Sequence, residues 1–129
     1  MDGKPLVAFV DDDPRLRSLI AEELSDEGVH PLACSTGQEL LDCLDVEKVD
    51  LILLDLMMPV MDGLTCLRHL NERGVKIPAL VVTSFNDEGK RQEAMESGAA
   101  DYIIKPDLFE RLPELLDRYL NKPRKNAHD

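Results

Sequence analysis

Five short apolar runs constrain this chain more than any other feature: Leu6–Val10, Val29–Cys34, Leu51–Leu54, Ala79–Val82 and Tyr102–Ile104. Four of them are nearly all apolar and do not alternate with polar residues. A strand with one wet face alternates, whereas a strand covered on both faces reads as a continuous hydrophobic run. These four therefore predict buried strands of a parallel sheet. The second run contains Pro31. Proline has no N–H to give a ladder, so that strand belongs at an edge.

Helical periodicity fills the intervals. Asp13 can cap a helix with Pro14 at its first position; Leu16, Leu19, Ile20 and Leu24 form its apolar face, and Gly28 ends it. Ser35 or Thr36 starts a second helix carrying Leu40, Leu41 and Leu44, with capping-box spacings Ser35 to Gln38 and Thr36 to Glu39. A third runs over about 63–73 with Leu64, Leu67 and Leu70 inward and Gly74 after it. A fourth, over about 87–97, turns Ala94 and Met95 inward and stops at Gly98. The fifth carries Leu112, Leu115, Leu116 and Tyr119, and Pro113 requires it to begin only a few residues earlier.

Strand and helix thus alternate five times. Right-handed crossovers place such strands in one parallel sheet with helices on both faces. An order of 2-1-3-4-5 puts the Pro31 strand at the edge and makes the gap between strands 1 and 3 the topological switch point. At 129 residues and 14.5 kDa, the chain has room for one domain, expected over residues 1–121, with 122–129 as a polar tail or linker stub.

Charge and composition remove several functions. Acids outnumber bases 26 to 15, for a net charge of −11. Neutralising nucleic-acid phosphates or anionic lipid needs an excess of Lys and Arg, and here the excess is acidic, so neither partner is expected. No apolar run is long enough to span a bilayer, and Met1-Asp2-Gly3-Lys4-Pro5 lacks the pattern of a signal peptide. Cys34, Cys43 and Cys66 show no metal-ligand spacing and suit reduced, packed thiols; the expected location is the cytoplasm. His30, His69 and His128 are scattered and suit surface roles.

The polar residues fall at informative places. The first run ends in Asp11-Asp12-Asp13, the third in Asp55, the fourth in Thr83-Ser84 and the fifth in Lys105-Pro106. In a parallel sheet all of these ends share one rim. Carboxylates gathered there at about 4 Å repel by about 4 kcal/mol at an effective dielectric of 20. Lys105 offers one positive charge, fewer than three carboxylates need. A hard divalent cation suits the remainder, and magnesium is the natural one. Metal, ammonium, hydroxyl and a spare carboxylate are the parts for phosphoryl transfer to an acyl oxygen. Asp55 has no structural excuse directly after Leu51–Leu54. Asp13 reads as a helix cap and Asp62-Gly63 as a turn and helix start. Met57, Met58 and Met61 read as packing or loop-lining residues.

Asp55-Leu56-Met57-Met58-Pro59-Val60-Met61-Asp62-Gly63 spells DxxMPxMDG; Val10-Asp11-Asp12-Asp13, Thr83 and Lys105-Pro106 complete four motifs in order. With these, from about Leu6 to Leu120, the chain resembles the receiver domain of bacterial two-component response regulators. The resemblance implies a flavodoxin-like (βα)5 three-layer sandwich. It implies that Asp55 accepts a phosphoryl group from a phosphohistidine on a sensor histidine kinase or phosphotransfer protein. Asp12 and Asp55 would ligate magnesium directly, Asp11 through water, and the Met57 backbone carbonyl would complete the set. Lys105 would pair with the phosphoryl oxygens and Thr83 would hydrogen-bond them. Tyr102 would rotate as Thr83 moves, and the Lys105–Pro106 peptide would be cis. The fourth helix, fifth strand and fifth helix would form the output surface towards an unknown output domain or protein, and a homodimer surface. One departure bears on that surface: Asp107 stands where the family often has Phe.

An alternative from another class is a small haloacid-dehalogenase-like phosphatase. Asp11-x-Asp13 resembles its nucleophile motif, with Asp11 as nucleophile, Thr83 its second motif and Lys105 its third. The Thr expected shortly after Asp13 and a late acidic pair are missing, and Asp55 is left unexplained.

Overall fold

The computed structural model describes residues 3–58 and 60–120. The expected tail over 122–129 lies outside the described residues. Five strands, β1 (Leu6–Val10), β2 (His30–Cys34), β3 (Leu51–Asp55), β4 (Ala79–Thr83) and β5 (Asp101–Ile104), alternate with five helices. These are α1 (Pro14–Asp26), α2 (Gly37–Leu44), α3 (Gly63–Glu72), α4 (Glu88–Glu96) and α5 (Leu108–Leu120). All strand pairs are parallel and the order is β2-β1-β3-β4-β5. The edge position of β2 follows from Pro31, opposite Val7. No helix among the described residues is long and apolar enough to cross a membrane.

Successive side chains of a strand point to opposite faces, and here each face has its own core. Ala8, Val10, Ile52, Leu54 and Val81 pack against Leu40, Leu41, Cys66, Leu67 and Ala94 of α2, α3 and α4. Val7, Phe9, Leu51, Leu53, Leu80 and Ile103 pack against Ile20 and Leu24 of α1 and Leu108, Leu112, Leu115 and Leu116 of α5. The result is three layers, which is why the central strands carry no polar alternation.

The helix ends follow local chemistry. Asp13 caps α1 by accepting from the Arg15 N–H at 3.0 Å, with Pro14 first in the helix. Thr36 caps α2 by accepting from Glu39 N–H at 3.0 Å, and Glu39 returns a bond to the Ser35 N–H at 2.5 Å. Asp62 caps α3 through Thr65 N–H at 2.9 Å, and Asp87 caps α4 through Gly89 N–H at 2.8 Å.

Several expectations are corrected. The Lys105–Pro106 peptide is trans, as is every described peptide bond. The chain leaves β5 straight into a 3-10 turn, Lys105–Asp107, and proline's fixed φ suits a first helical turn without isomerisation. Leu19 is exposed instead of inward, because the face of α1 is set by Ile20 and Leu24 and the preceding residue lies about 100° around the helix. β2 begins at His30 because Val29 gives its N–H to the Leu24 carbonyl at the end of α1, at 3.2 Å. Leu44, Leu64 and Met95 do pack against the core as expected, although each is only half-buried. Pro113 sits five residues into α5, as its position required.

Two residues beside β3 carry strain or close contact. A Cβ on Gly63 would lie 2.5 Å from the Asp55 carbonyl oxygen and 2.8 Å from the Leu56 Cα. Only glycine lets α3 start this close to the end of β3, where Gly63 N–H bonds the Leu56 carbonyl at 2.8 Å. Gly63→Ala is expected to destabilise the fold by roughly 1–3 kcal/mol in urea denaturation, because the contact is with backbone and cannot rotate away. Val60 has φ 69° and a fully exposed side chain. A β-branched residue in the left-handed region costs about 1–2 kcal/mol with no packing here to offset it. Val60→Gly is therefore expected to raise stability by about 1 kcal/mol in the same measurement; an unchanged or lower midpoint would show that the loop is not strained.

Candidate functional site

The rim beyond the carboxyl ends of the strands collects the polar residues singled out by position. Asp11 follows β1 directly, Asp55 closes β3 and Thr83 closes β4; all three are buried. Lys105 follows β5 and reaches back across the end of β4. Its Nζ lies 3.2 Å from Asp11 Oδ2 and 3.4 Å from Asp55 Oδ2. The other oxygens are held by backbone. Asp55 Oδ1 accepts from the Met57 N–H at 3.3 Å, and Asp11 Oδ1 accepts from the Asp13 N–H at 2.8 Å. Asp12 is exposed and completes a carboxylate group with Asp11 and Asp55 whose ligand oxygens all lie within 4.8 Å of one another.

The electrostatics follow from burial. Desolvation, then the neighbouring Asp11, push the Asp55 carboxyl up from 3.8 to about 6, against the lowering effects of Lys105 and the Met57 N–H. Burial pulls the Lys105 ammonium down, but Asp55 and Asp11 outweigh it and leave the group above its ordinary value. One ammonium thus only partly relieves the carboxylates. The donor set is hard oxygen, negatively charged and open to solvent through Asp12, which fits magnesium and offers nothing to a soft metal.

A second chain of contacts leaves the rim at β4. Thr83 Oγ1 accepts from the Phe85 N–H at 3.2 Å. The Tyr102 hydroxyl donates to the Phe85 carbonyl at 2.7 Å. Burial, followed by Asp87, raises the Tyr102 phenol above its ordinary value, while a side-chain contact with Thr83 lowers it. The Phe85 backbone is therefore held from both sides, by Thr83 and by Tyr102. Its half-exposed ring lies under Lys90 of α4, with Nζ 5.3 Å from the centroid.

Asp11, Asp12, Asp55, Thr83 and Lys105 are thus brought to one place, and Tyr102 reaches it through Phe85. Met57 contributes its N–H, and its side chain is exposed. Pro106 and Asp107 are exposed beside the rim. Asp13 and Asp62 are caps, as expected. The cysteines are free thiols, and burial raises Cys34 to about 12 and Cys66 to about 11, which keeps both protonated. Nothing favours the phosphatase alternative: Asp13, which that motif needs as a free carboxyl, is spent on capping α1. Phe85 and Arg17 carry no sequence motif. The signal for Phe85 is its place just past the end of β4, outside any core pattern. Arg17 donates to the Asp11 carbonyl at 2.6 Å.

The raised Asp55 carboxyl has a thermodynamic consequence. The folded state holds this proton more tightly than the unfolded chain, so stability present below pH 4 is lost as pH rises to about 6. In metal-free protein, Asp55→Asn is expected to match wild type near pH 4. It should exceed it by on the order of 2 kcal/mol at pH 7, read by urea denaturation across that range. A difference that does not vary with pH would place the cost elsewhere.

Comparison with known proteins agrees with this geometry. The response regulator receiver domain model matches residues 7–117. The transcriptional regulatory protein TrcR of Mycobacterium tuberculosis is 37% identical over 98% of this chain and 52% of its own length. AruR of Pseudomonas aeruginosa, another transcriptional regulatory protein, is 38% identical over 96% of this chain and 51% of its own length. The chain thus spans about half the length of these curated relatives. Among solved structures, the BeF3-activated N-terminal receiver domain of Klebsiella pneumoniae RstA is 33% identical. It superposes with a TM-score of 0.83 over 91% of this chain and 99% of that one. With its sheet order, its acid-lined rim and a family match over nearly the whole chain, this protein belongs to the response regulator receiver domains.

Proposed function

We propose that Asp55 is the phosphoacceptor of this signalling domain. The observation that carries the reading is the position of its carboxylate: buried at the end of β3, with Lys105 at 3.4 Å and the Asp11 and Asp12 carboxylates beside it. A carboxylate oxygen of Asp55 attacks the phosphorus of a phosphohistidine on a sensor histidine kinase or phosphotransfer protein. The P–O bond forms as the P–N bond breaks, and the imidazole leaves with the electron pair. The domain is a signalling module rather than a turnover enzyme; the chemistry it performs is on itself.

The carboxylates of Asp11, Asp12 and Asp55, with the Met57 carbonyl, would hold a magnesium ion. When bound, that ion supplies positive charge for the phosphoryl oxygens. Lys105 supplies a further positive charge from the protein. Thr83 turns its hydroxyl towards the phosphoryl group and gives up the bond it accepts from Phe85 N–H. That release frees the Phe85 backbone and the Tyr102 hydroxyl attached to it, so Tyr102 can reorient. The change is a two-state repacking biased by new charge, not a gradual deformation.

The surface of α4, β5 and α5 is the proposed contact face for the output domain or protein, and for a homodimer. Lys90 of α4 and Tyr102 of β5 both touch Phe85, which supports this face as the recipient of the change. The domain is proposed to work in the cytoplasm, over residues 1–121, with 122–129 as tail or linker.

Incubation with magnesium and acetyl phosphate is expected to add one phosphoryl group per chain, measured by intact mass. Asp55→Asn should abolish it. Undiminished labelling of that variant would overturn the assignment.

A further inference from the structure

The acid-bearing turn after β1 is held by a residue outside every motif. Arg17 is the fourth residue of α1 and half-buried, and its Nη1 donates to the Asp11 backbone carbonyl at 2.6 Å. A guanidinium donor makes this a short, charge-assisted bond. On the other side, the Asp11 N–H donates to the Cys34 carbonyl at the end of β2, at 3.2 Å. The two peptide groups flanking Asp11 are therefore tied to different elements, one to β2 and one to α1. The Asp11 carbonyl belongs to the peptide that leads into Asp12. Because a peptide is planar, holding its oxygen sets the plane from which Asp12 departs. The Arg17 N–H is itself bonded to the Asp13 carbonyl at 3.0 Å, so the anchor is a regular part of α1.

We propose that Arg17 is a positioning residue for the cation site: it orients the Asp11–Asp12 peptide so that both carboxylates converge with Asp55. The inference rests on the phosphoacceptor reading, in which those carboxylates hold magnesium. Charge alone argues for the opposite effect. A guanidinium bonded to the backbone of the acid-bearing turn lowers the attraction of that turn for a divalent cation, so on charge alone its removal would tighten binding. Positioning and simple electrostatics therefore differ in sign, and one measurement separates them.

The measurement is calorimetric titration of the full chain with magnesium chloride at fixed ionic strength, with thermal unfolding of each metal-free variant to confirm folding. Arg17→Gln is expected to weaken magnesium binding roughly tenfold, the low end of the effect of partners that orient metal ligands. Arg17→Lys should recover part of the loss, because an ammonium can donate to the same carbonyl. Arg15→Gln is the charge control: Arg15 is exposed in the same first turn, and its loss should leave affinity unchanged or slightly tighter. Unchanged or tighter binding by folded Arg17→Gln overturns the inference, and so does an equal weakening by Arg15→Gln. Should Arg17→Gln fail to fold, Arg17→Lys carries the test. Weaker binding than wild type supports positioning, and wild-type or tighter binding overturns it. A wild-type chain that binds no magnesium removes the phosphoacceptor reading itself, and the inference with it.

Discussion

The Lys105 ammonium between Asp11 and Asp55 is the interaction on which the rim depends. Two buried carboxylates at about 4 Å repel by about 4 kcal/mol at an effective dielectric of 20. Lys105 Nζ, at 3.2 and 3.4 Å from them, offsets much of that. The pairing demands a great deal of the fold. β5 and β3 are separated by β4, so the lysine has to cross a full strand width to reach Asp55. It succeeds because the parallel register brings the carboxyl ends of β3, β4 and β5 within one residue of one another, with Asp55 opposite Val82 and Thr83 opposite Ile104. The relief stays incomplete. Asp55 remains well above an ordinary carboxyl, and the rim keeps an unmet appetite for positive charge.

That residual imbalance links stability to chemistry. A core this apolar tolerates a buried acid only where charge partners converge. In the proposed phosphoacceptor reading, the same convergence suits a cation and an anionic phosphoryl group. Thr83 stands at the rim with its oxygen occupied by the Phe85 N–H, and Tyr102 holds the other end of that residue. Thr83, Phe85 and Tyr102 thus form a hydrogen-bonded chain from the carboxyl end of β4 to β5. The loop from Leu56 to Asp62 adds a different element. Gly63 packs closely on the backbone at the end of β3, and Val60 holds a strained left-handed φ.

Much of this was legible in the residues. The continuous apolar runs announced strands covered on both faces, and Pro31 announced the edge. Asp13, Thr36, Asp62 and Asp87 all cap the helices they precede. The rim residues could be named because a parallel sheet puts every strand's carboxyl end on one side. What escaped depends on angles that periodicity does not carry. Leu19 belongs to an apolar spacing yet points outward by one step around the helix. The Lys105–Pro106 bond is trans because the backbone after β5 enters a 3-10 turn directly. Phe85 acts through its backbone, to which side-chain identity is nearly irrelevant.

By itself, the sequence determined which residues could be buried, where helices begin, and which acids have no structural use. Those are properties of side-chain chemistry and local spacing. Only the tertiary structure decided how the acids share one ammonium, which oxygen each donor takes, and that Arg17 reaches back to the Asp11 carbonyl. These contacts join residues on different elements or through backbone atoms. The shared ammonium exists only once two cores have locked the strands in register, and the shorter-range bonds run to backbone atoms that no side-chain pattern marks.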